Sequence, residues 1–287
     1  MSYHNTIFEE QAEVLANVSH QGGQFVMRLR APRIASSAQA GQFVHIRCAE
    51  RLLLRRPLSL MHAECREGTI DLLVKAVGDG TRALRDQAVG AVLPTMGPIG
   101  RGFDLSDSSR HYICIGGGVG IPPMIFAALS LSDPERVLVL AGSEVPLPFA
   151  LSPSTFLLPG ITGNAILAIT SLEERGIASR LASRAALFGY FDGLVPQLAE
   201  QHLMALDRSA RRQRVLLACG PLPMLRAVAD LGRRYDLPTQ LSLEEHMACG
   251  FGGCAGCVVE TIESGRRHHR RVCVDGPVFD AAVLTNI

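Results

Sequence analysis

A chain of 287 residues with 27 acidic and 28 basic side chains is too long for one small core and fits two ordinary domains, or two with a small appended module. The charges nearly cancel, so there is no global field to attract nucleic acid or a membrane surface, and a partner must be recognised locally. Eight cysteines are few for this length, but four of them fall at or after Cys249, a crowding that points to metal before disulfides.

The opening Met1-Ser-Tyr-His-Asn5 and the Phe8-Glu-Glu10 that follows lack the basic flank and apolar core of a signal peptide, which predicts a cytoplasmic protein. From Glu13 to about Gly100, short apolar runs alternate with Gly and Pro: Phe25-Val-Met-Arg-Leu29, Gln42-Phe-Val-His-Ile46, Leu58-Ser-Leu-Met61 and Ile70-Asp-Leu-Leu-Val-Lys75. Period-two alternation with turn residues at this spacing predicts an antiparallel β-barrel. From Arg110 the rhythm changes to apolar strand then helix. Strands are expected at Tyr112-Ile-Cys-Ile115, Val137-Leu-Val-Leu140, Ala165-Ile-Leu-Ala-Ile-Thr170 and Val215-Leu-Leu-Ala-Cys219, with helices at Pro123 to Leu131 and Met224 to Arg234. That alternation argues for a doubly wound parallel sheet. His111 to Ser132 carries no Asp, Glu, Lys or Arg and is long enough to cross a bilayer, but its Gly and Pro residues divide it into strand, tight loop and helix. No membrane span is expected. Beyond Pro238 too little apolar sequence remains for an independent core, and the tail is expected to fold around its metal. The predicted domains are 1–106, 107–238 and 239–287.

The tail reads Cys249-Gly-Phe-Gly-Gly-Cys254-Ala-Gly-Cys257, then fifteen residues, then Cys273. Four thiolates are what a 2Fe-2S cluster requires, and the first three have the four-then-two spacing of plant-type ferredoxins. The interleaved glycines let the backbone wrap close around sulfide and aim its N–H groups at sulfur. The alternatives are a structural zinc site and two disulfides. Zinc ribbons pair their ligands as two C-x2-C hooks, of which only Cys254 and Cys257 supply one, and a cytosolic chain disfavours disulfides.

Gly116-Gly-Gly-Val-Gly120, including Gly117 and Gly118, follows an apolar strand and opens a helix, so its N–H groups can meet a pyrophosphate. The spacing is not G-x-G-x-x-G, and a simple tight turn is the alternative. Ala218-Cys219-Gly220-Pro221 ends a later strand; because ligands bind at the carboxyl ends of parallel strands, the two loops are expected to face one crevice. Cys219 has an alternative reading as an inert buried thiol. In the barrel segment, Arg55-Arg56-Pro57-Leu58-Ser59 sets a planar guanidinium suited to phosphate beside a small hydroxyl, and Leu73-Val-Lys75 leads into a glycine turn at Gly80-Thr81, a second phosphate seat.

With these elements in this order, the chain resembles the ferredoxin–NADP reductase superfamily, and more narrowly the electron-transfer subunits of type B dihydroorotate dehydrogenase. The narrower likeness rests on Leu243-Glu-Glu-His-Met-Ala-Cys249 through Cys257 and on Val272-Cys-Val-Asp-Gly-Pro-Val-Phe279. The resemblance implies a β-barrel that binds FAD, a doubly wound domain that binds NAD, and a 2Fe-2S module. It implies that Arg56, Pro57, Leu58 and Ser59 line the flavin, and that Leu73, Val74, Lys75, Gly80 and Thr81 continue the FAD site. It places Gly116, Gly117, Gly118 and Gly120 at the nicotinamide nucleotide's pyrophosphate, and Cys219, with Gly220 and Pro221, near the nicotinamide. Cys249, Cys254, Cys257 and Cys273 would ligate the cluster. The implied role is in pyrimidine biosynthesis, carrying electrons from an FMN-containing dihydroorotate dehydrogenase subunit through the cluster and FAD to NAD, in a heterotetramer. The family's acidic-glycine segment after the third sheet strand is replaced here by Thr170-Ser-Leu-Glu-Glu-Arg-Gly176, whereas Ala141-Gly-Ser-Glu-Val145 offers Glu144 for a ribose hydroxyl with no nearby Arg, favouring NAD over NADP. Arg266-Arg-His-His-Arg-Arg271 reads as a solvated hairpin tip, with docking of the partner as a hypothesis. Two other roles stay open: the diaphorase subunit of a hydrogenase or of an electron-bifurcating ferredoxin–NADP oxidoreductase, and a non-enzymatic zinc or nucleotide sensor.

Overall fold

The computed structural model describes residues 6–161, 163–285 and 287. Met1 to Asn5, on which the reading of the opening segment rests in part, lie outside the described residues. The chain divides into two compact units: one runs to Phe103 and takes in Leu243–Phe279, and the other comprises Asp104–Ser242 with Asp280–Thr285.

The first unit is built on seven strands, β1 (Phe8–Ser19), β2 (Gln24–Arg30), β3 (Phe43–Ile46), β4 (Arg56–Ser59), β5 (His62–Glu64), β6 (Thr69–Lys75) and β7 (Val92–Ile99), with short helices α1 (Pro32–Ser37) and α2 (Asp79–Arg85). Their order is β4-β3-β7-β1-β2-β6-β5 and every pairing is antiparallel, which makes an antiparallel half-barrel. Period-two burial explains β2, where Phe25, Met27 and Leu29 are fully buried and Arg28 and Arg30 point outward. The acidic interruption of the apolar run in β6 is resolved by register. Asp71 lies opposite Arg28 and accepts two hydrogen bonds from its guanidinium, both at 2.7 Å. The tail adds a hairpin, whose strands appear below once the second unit is numbered.

The second unit contains β8 (His111–Gly117), α3 (Ile121–Leu129), β9 (Val137–Gly142), β10 (Leu151–Pro153), β11 (Leu167–Ile169), α4 (Thr170–Glu173), β12 (Ala178–Ser183), β13 (Phe191–Asp192), α5 (Val195–Ala205), α6 (Arg208–Arg212), β14 (Arg214–Cys219), α7 (Leu222–Tyr235) and β15 (Thr239–Ser242). The order β13-β12-β9-β8-β14-β15, all parallel, runs outward in opposite directions from the β8/β14 pair. That pair is the topological switch point, where open α/β sheets bind ligands. The stretch His111 to Ser132 divides into β8, a tight turn over Gly118–Gly120 and α3, and no helix among the described residues is long and apolar enough to cross a membrane.

One expected sheet strand is misplaced. Ala165 to Thr170 does not join the parallel sheet: Leu167–Ile169 pairs antiparallel with Leu151–Pro153 in a separate two-stranded ribbon. The strand beside β9 is Ala178–Ser183, whose Ser, Arg and Ala residues hide it from a search for apolar runs. Most of its buried polar groups are partnered instead, Ser179 Oγ accepting from the Ile169 N–H at 2.9 Å and the terminal nitrogens of Arg180 donating to the Ser179 carbonyl at 2.7 Å and to the Phe156 carbonyl, with Arg180 Nε left without a partner.

The tail's hairpin comprises β16 (Val258–Glu263) and β17 (Arg266–Arg271), turned at Ser264 and Gly265, both with positive φ. A backbone contact ties the tail to its own unit, the Arg101 N–H donating to the Gly276 carbonyl at 2.5 Å, while the Leu243 N–H closes the tail on itself by donating to the Pro277 carbonyl at 2.9 Å.

Candidate cofactor and cluster sites

Four of the residues expected at the flavin, Arg56, Pro57, Leu58 and Ser59, are β4 itself, the terminal strand of the half-barrel sheet, and all four are partly exposed. Arg56 donates to the Leu54 carbonyl at 2.8 Å, which aims the rest of its guanidinium elsewhere. Gly80 makes room for it: a Cβ there would lie 2.7 Å from Arg56 Nε. The fold thus brings together an arginine and a glycine that the sequence separates by two strands, β5 and β6, and their turns. Thr81 spends its hydroxyl locally, accepting from the N–H groups of Val77 at 3.0 Å and Gly78 at 3.1 Å to close the turn into α2. Leu73 and Val74 are buried, leaving their backbone as the part able to meet a cofactor, while Lys75 is exposed at the strand end.

Cys249, Cys254, Cys257 and Cys273 share this unit, and none of the chain's cysteines is in a disulfide. Among the described residues no three His, Cys, Asp or Glu groups converge on a single ion. The sulfurs group in twos instead. Cys257 Sγ and Cys273 Sγ stand 3.3 Å apart, and the Cys254 side chain lies near enough to Cys249 to lower its thiol. Cys257 and Cys273 are buried, and burial, reinforced by Cys257 and Cys249, pushes the Cys273 thiol up to about 12. At Cys249 burial acts in the same upward direction, but the backbone amides of Phe251, Cys254 and Gly253 and the Cys254 side chain outweigh it and bring the thiol down to about 7. N–H groups aimed at a sulfur are what a thiolate ligand needs. Arg271 pins the loop by donating to the Gly252 carbonyl at 3.0 Å. This donor set, all sulfur and ringed by amides, fits an iron–sulfur cluster.

In the second unit, β8 ends at Gly117 opposite the end of β14, with Gly116 in register with Cys219. The turn at Gly120 packs on the Cys219 carbonyl so closely that no Cβ fits, and Gly220 lies against the backbone of Gly117. The two loops therefore form one surface, as their separate sequence signals predicted. Pro122 and Pro123 have no N–H, and the Ile121 N–H donates to the Gly118 carbonyl, so donors toward an anion come from Gly118 to Gly120. The Cys219 side chain is fully buried, while Pro221 is exposed at the start of α7. Glu144 follows β9 on the same edge. Its carboxylate accepts from the Arg184 N–H at 3.4 Å, so an arginine distant in sequence is adjacent in space. Local sequence missed Arg184 because a different strand, β12, delivers it. It also missed Met224, whose sulfur fills the space beside Gly117, and His45, a fully buried imidazole hidden in the apolar rhythm of β3.

Residues 11–103 match the oxidoreductase FAD-binding domain family, and residues 244–285 match the iron–sulfur cluster binding domain of dihydroorotate dehydrogenase B. The dihydroorotate dehydrogenase B (NAD(+)) electron transfer subunit of Desulforamulus reducens is 32% identical over 271 residues, covering 93% of this chain and 95% of that protein. The subunit of the same name from Bacillus cereus strain B4264 is 30% identical over 285 residues, 97% of each chain. Among solved structures, the NADH-dependent reduced ferredoxin–NADP oxidoreductase studied for flavin-based electron bifurcation superposes with a TM-score of 0.75 at 24% identity, covering 96% of this chain and 90% of that one, a likeness of fold. The half-barrel with its arginine-bearing terminal strand, the parallel sheet and the four-cysteine tail thus agree with the sequence matches: the chain belongs to the family of dihydroorotate dehydrogenase B electron-transfer subunits, oxidoreductase subunits that bind FAD and an iron–sulfur cluster.

Proposed function

We propose that the cluster is 2Fe-2S, ligated by Cys249, Cys254, Cys257 and Cys273, and that the chain relays electrons from a dihydroorotate-oxidising flavoprotein partner to NAD. The observation that carries this is the two-plus-two grouping of the sulfurs, Cys249 with Cys254 and Cys257 with Cys273. Two irons with two thiolates each call for that grouping, whereas a single zinc ion calls for four sulfurs around one point. FAD, when bound, supplies the exchange between the hydride of a nicotinamide and the single electrons of a cluster.

The chain's residues then have distinct tasks. Arg56 and Gly80 seat the FAD, with Pro57, Leu58 and Ser59 along it and the backbone of Leu73 and Val74, Lys75 and Thr81 completing the pocket. Gly116 to Gly120 hold the NAD pyrophosphate, Gly220 and Pro221 border the nucleotide, and Cys219 stands at the nicotinamide end. Glu144 accepts a ribose hydroxyl and disfavours a 2′-phosphate by charge.

Co-purification from the source cell tests the reading. The expected result is a brown protein with flavin and 2Fe-2S absorbance, a bound FMN-containing subunit, and dihydroorotate-dependent reduction of NAD by the complex. A colourless chain with stoichiometric zinc, or a complex that reduces NADP in preference to NAD, overturns the corresponding part.

A further inference from the structure

His45 sits at an inward position of β3 with no solvent exposure, and neither ring nitrogen is in hydrogen-bond geometry with a protein group. A leucine or methionine would fill that core position without the desolvation cost of two polar atoms, so the imidazole needs a reason. Its surroundings supply one. Across the strand pairings it faces Pro57 of the flavin strand β4 on one side and Met96 of β7 on the other. Gly250 lies directly against the ring, since a Cβ there would be 2.6 Å from Nδ1 and 3.2 Å from both His45 Cε1 and Met96 Cε. With φ at +76°, Gly250 also adopts a backbone conformation that side chains disfavour. The backbones of Cys249 and Arg55 lie close to the ring. A neutral imidazole offers one donor and one acceptor.

We propose that His45 is a positioning residue that holds the Cys249–Gly250 backbone of the cluster loop against the flavin strands and so fixes how the first cluster ligand presents its sulfur. The inference rests on the assignment of Cys249 as a ligand. It goes beyond that assignment in naming a barrel residue, far away in sequence and not itself a ligand, as a determinant of the cluster's environment. Because the backbone amides around Cys249 Sγ belong to the same loop, a ring that shifts Gly250 shifts those donors, and hydrogen bonds to sulfur are among the factors that set a cluster's potential.

The test uses the full chain with its cofactors, in three variants: His45→Leu, which removes both nitrogens, His45→Asn, whose amide falls near Nδ1, and His45→Gln, whose amide falls near Nε2. The readouts are iron per chain, FAD per chain, the electron paramagnetic resonance spectrum of the reduced cluster and its redox titration. His45→Leu is expected to alter the spectrum and to change the reduced-to-oxidised ratio at fixed potential at least tenfold, about 59 mV for one electron, or to lose iron while retaining FAD. His45→Asn is expected to restore the wild-type spectrum and ratio. A leucine variant with full iron, an unchanged spectrum and a ratio within twofold overturns the proposal and makes the ring a core filler. If that variant fails to fold, the Asn and Gln pair decides: a wild-type spectrum in Asn with a shifted one in Gln supports positioning through Nδ1, and identical spectra overturn it. A wild-type chain without a 2Fe-2S signal would instead fail the proposed function, and this inference with it.

Discussion

Replacing Gly80 by alanine should weaken FAD binding while leaving the fold as stable as before or more so. The new Cβ would stand 2.7 Å from Arg56 Nε and 3.0 Å from Arg56 Cγ. Non-bonded heavy atoms settle at roughly 3.5 Å, so the guanidinium must retreat by about 0.8 Å. Its hydrogen bond to the Leu54 carbonyl, now 2.8 Å, resists that retreat. The hydrogen bond that Arg56 would donate to an FAD phosphate is worth about 1.5–3 kcal/mol, and displacing the guanidinium forfeits much of it, so the FAD dissociation constant should rise by about 10- to 100-fold. The helix responds in the opposite sense. Gly80 is the second residue of α2, where alanine is favoured over glycine by up to about 1 kcal/mol. Fluorescence titration of flavin-free protein with FAD measures the first effect, and thermal unfolding of the same flavin-free protein measures the second. Arg56→Ala completes a double-mutant cycle, and in that background Gly80→Ala should have little further effect on FAD. FAD affinity within twofold of wild type, or additive losses in the double variant, would refute the view that Arg56 and Gly80 form one seat.

Gly120→Ala drives a Cβ into the Cys219 carbonyl, so NADH binding should weaken about tenfold or more, a loss of about 1.4 kcal/mol, with flavin and iron content unchanged; normal NADH affinity would detach this loop from the nucleotide. Glu144→Gln should narrow the NADH-over-NADPH preference, read as the ratio of kcat/KM values, and a preference that stays the same would show that Glu144 does not set it. Cys257→Ser should lose the cluster and retain FAD and NADH-dependent dye reduction; full iron content in the variant would exclude Cys257 as a ligand. At the hairpin, Arg267, Arg270 and Arg271 already pair with Glu260, Glu263 and Asp275, so Arg266→Glu should change association with the catalytic partner by less than about threefold at physiological salt, the scale of a single exposed charge. A tenfold loss, measured by surface-based binding kinetics, would make this hairpin a docking element.

The parts of the molecule most visible in the sequence are those that glycine, proline or cysteine must build. Gly116 to Gly120 and the Cys219-Gly220 turn announce themselves because backbone approaches backbone there, and the two loops do meet at the β8/β14 switch point. Strand β2 follows from its period-two pattern, and β3 and β6 from short apolar runs buried at consecutive positions. What the sequence conceals depends on partners remote in the chain. Ala178–Ser183 is a sheet strand without an apolar run because Ile169 and Phe156 satisfy most of its polar groups, while the more apolar Leu167–Ile169 is diverted to a local ribbon. Asp71 looks foreign in β6 until Arg28 is found opposite it. Arg184 and His45 were hidden for the same reason. Their neighbours are set by strand register and by the returning tail, neither of which a local pattern contains.

That returning tail explains how one chain can hold two redox groups in a fixed relation without a separate cluster domain of its own core. The segment from Leu243 to Phe279 has little apolar sequence, yet it belongs to the same compact unit as the half-barrel. Backbone does the joining: Arg101 bonds Gly276, and Gly250 rests on His45 inside β3. Contacts of this kind tolerate little sliding, because each depends on a glycine or a carbonyl at one position. The cysteine loop is therefore referenced to strands β3 and β7, and β3 is paired residue by residue with the Arg56–Ser59 strand. It follows that substitutions in the barrel core beneath the loop, at Met96 as well as His45, should perturb the cluster before they perturb global stability. Hairpin substitutions of equal size at Ile262 or Val259 should leave its spectrum unchanged.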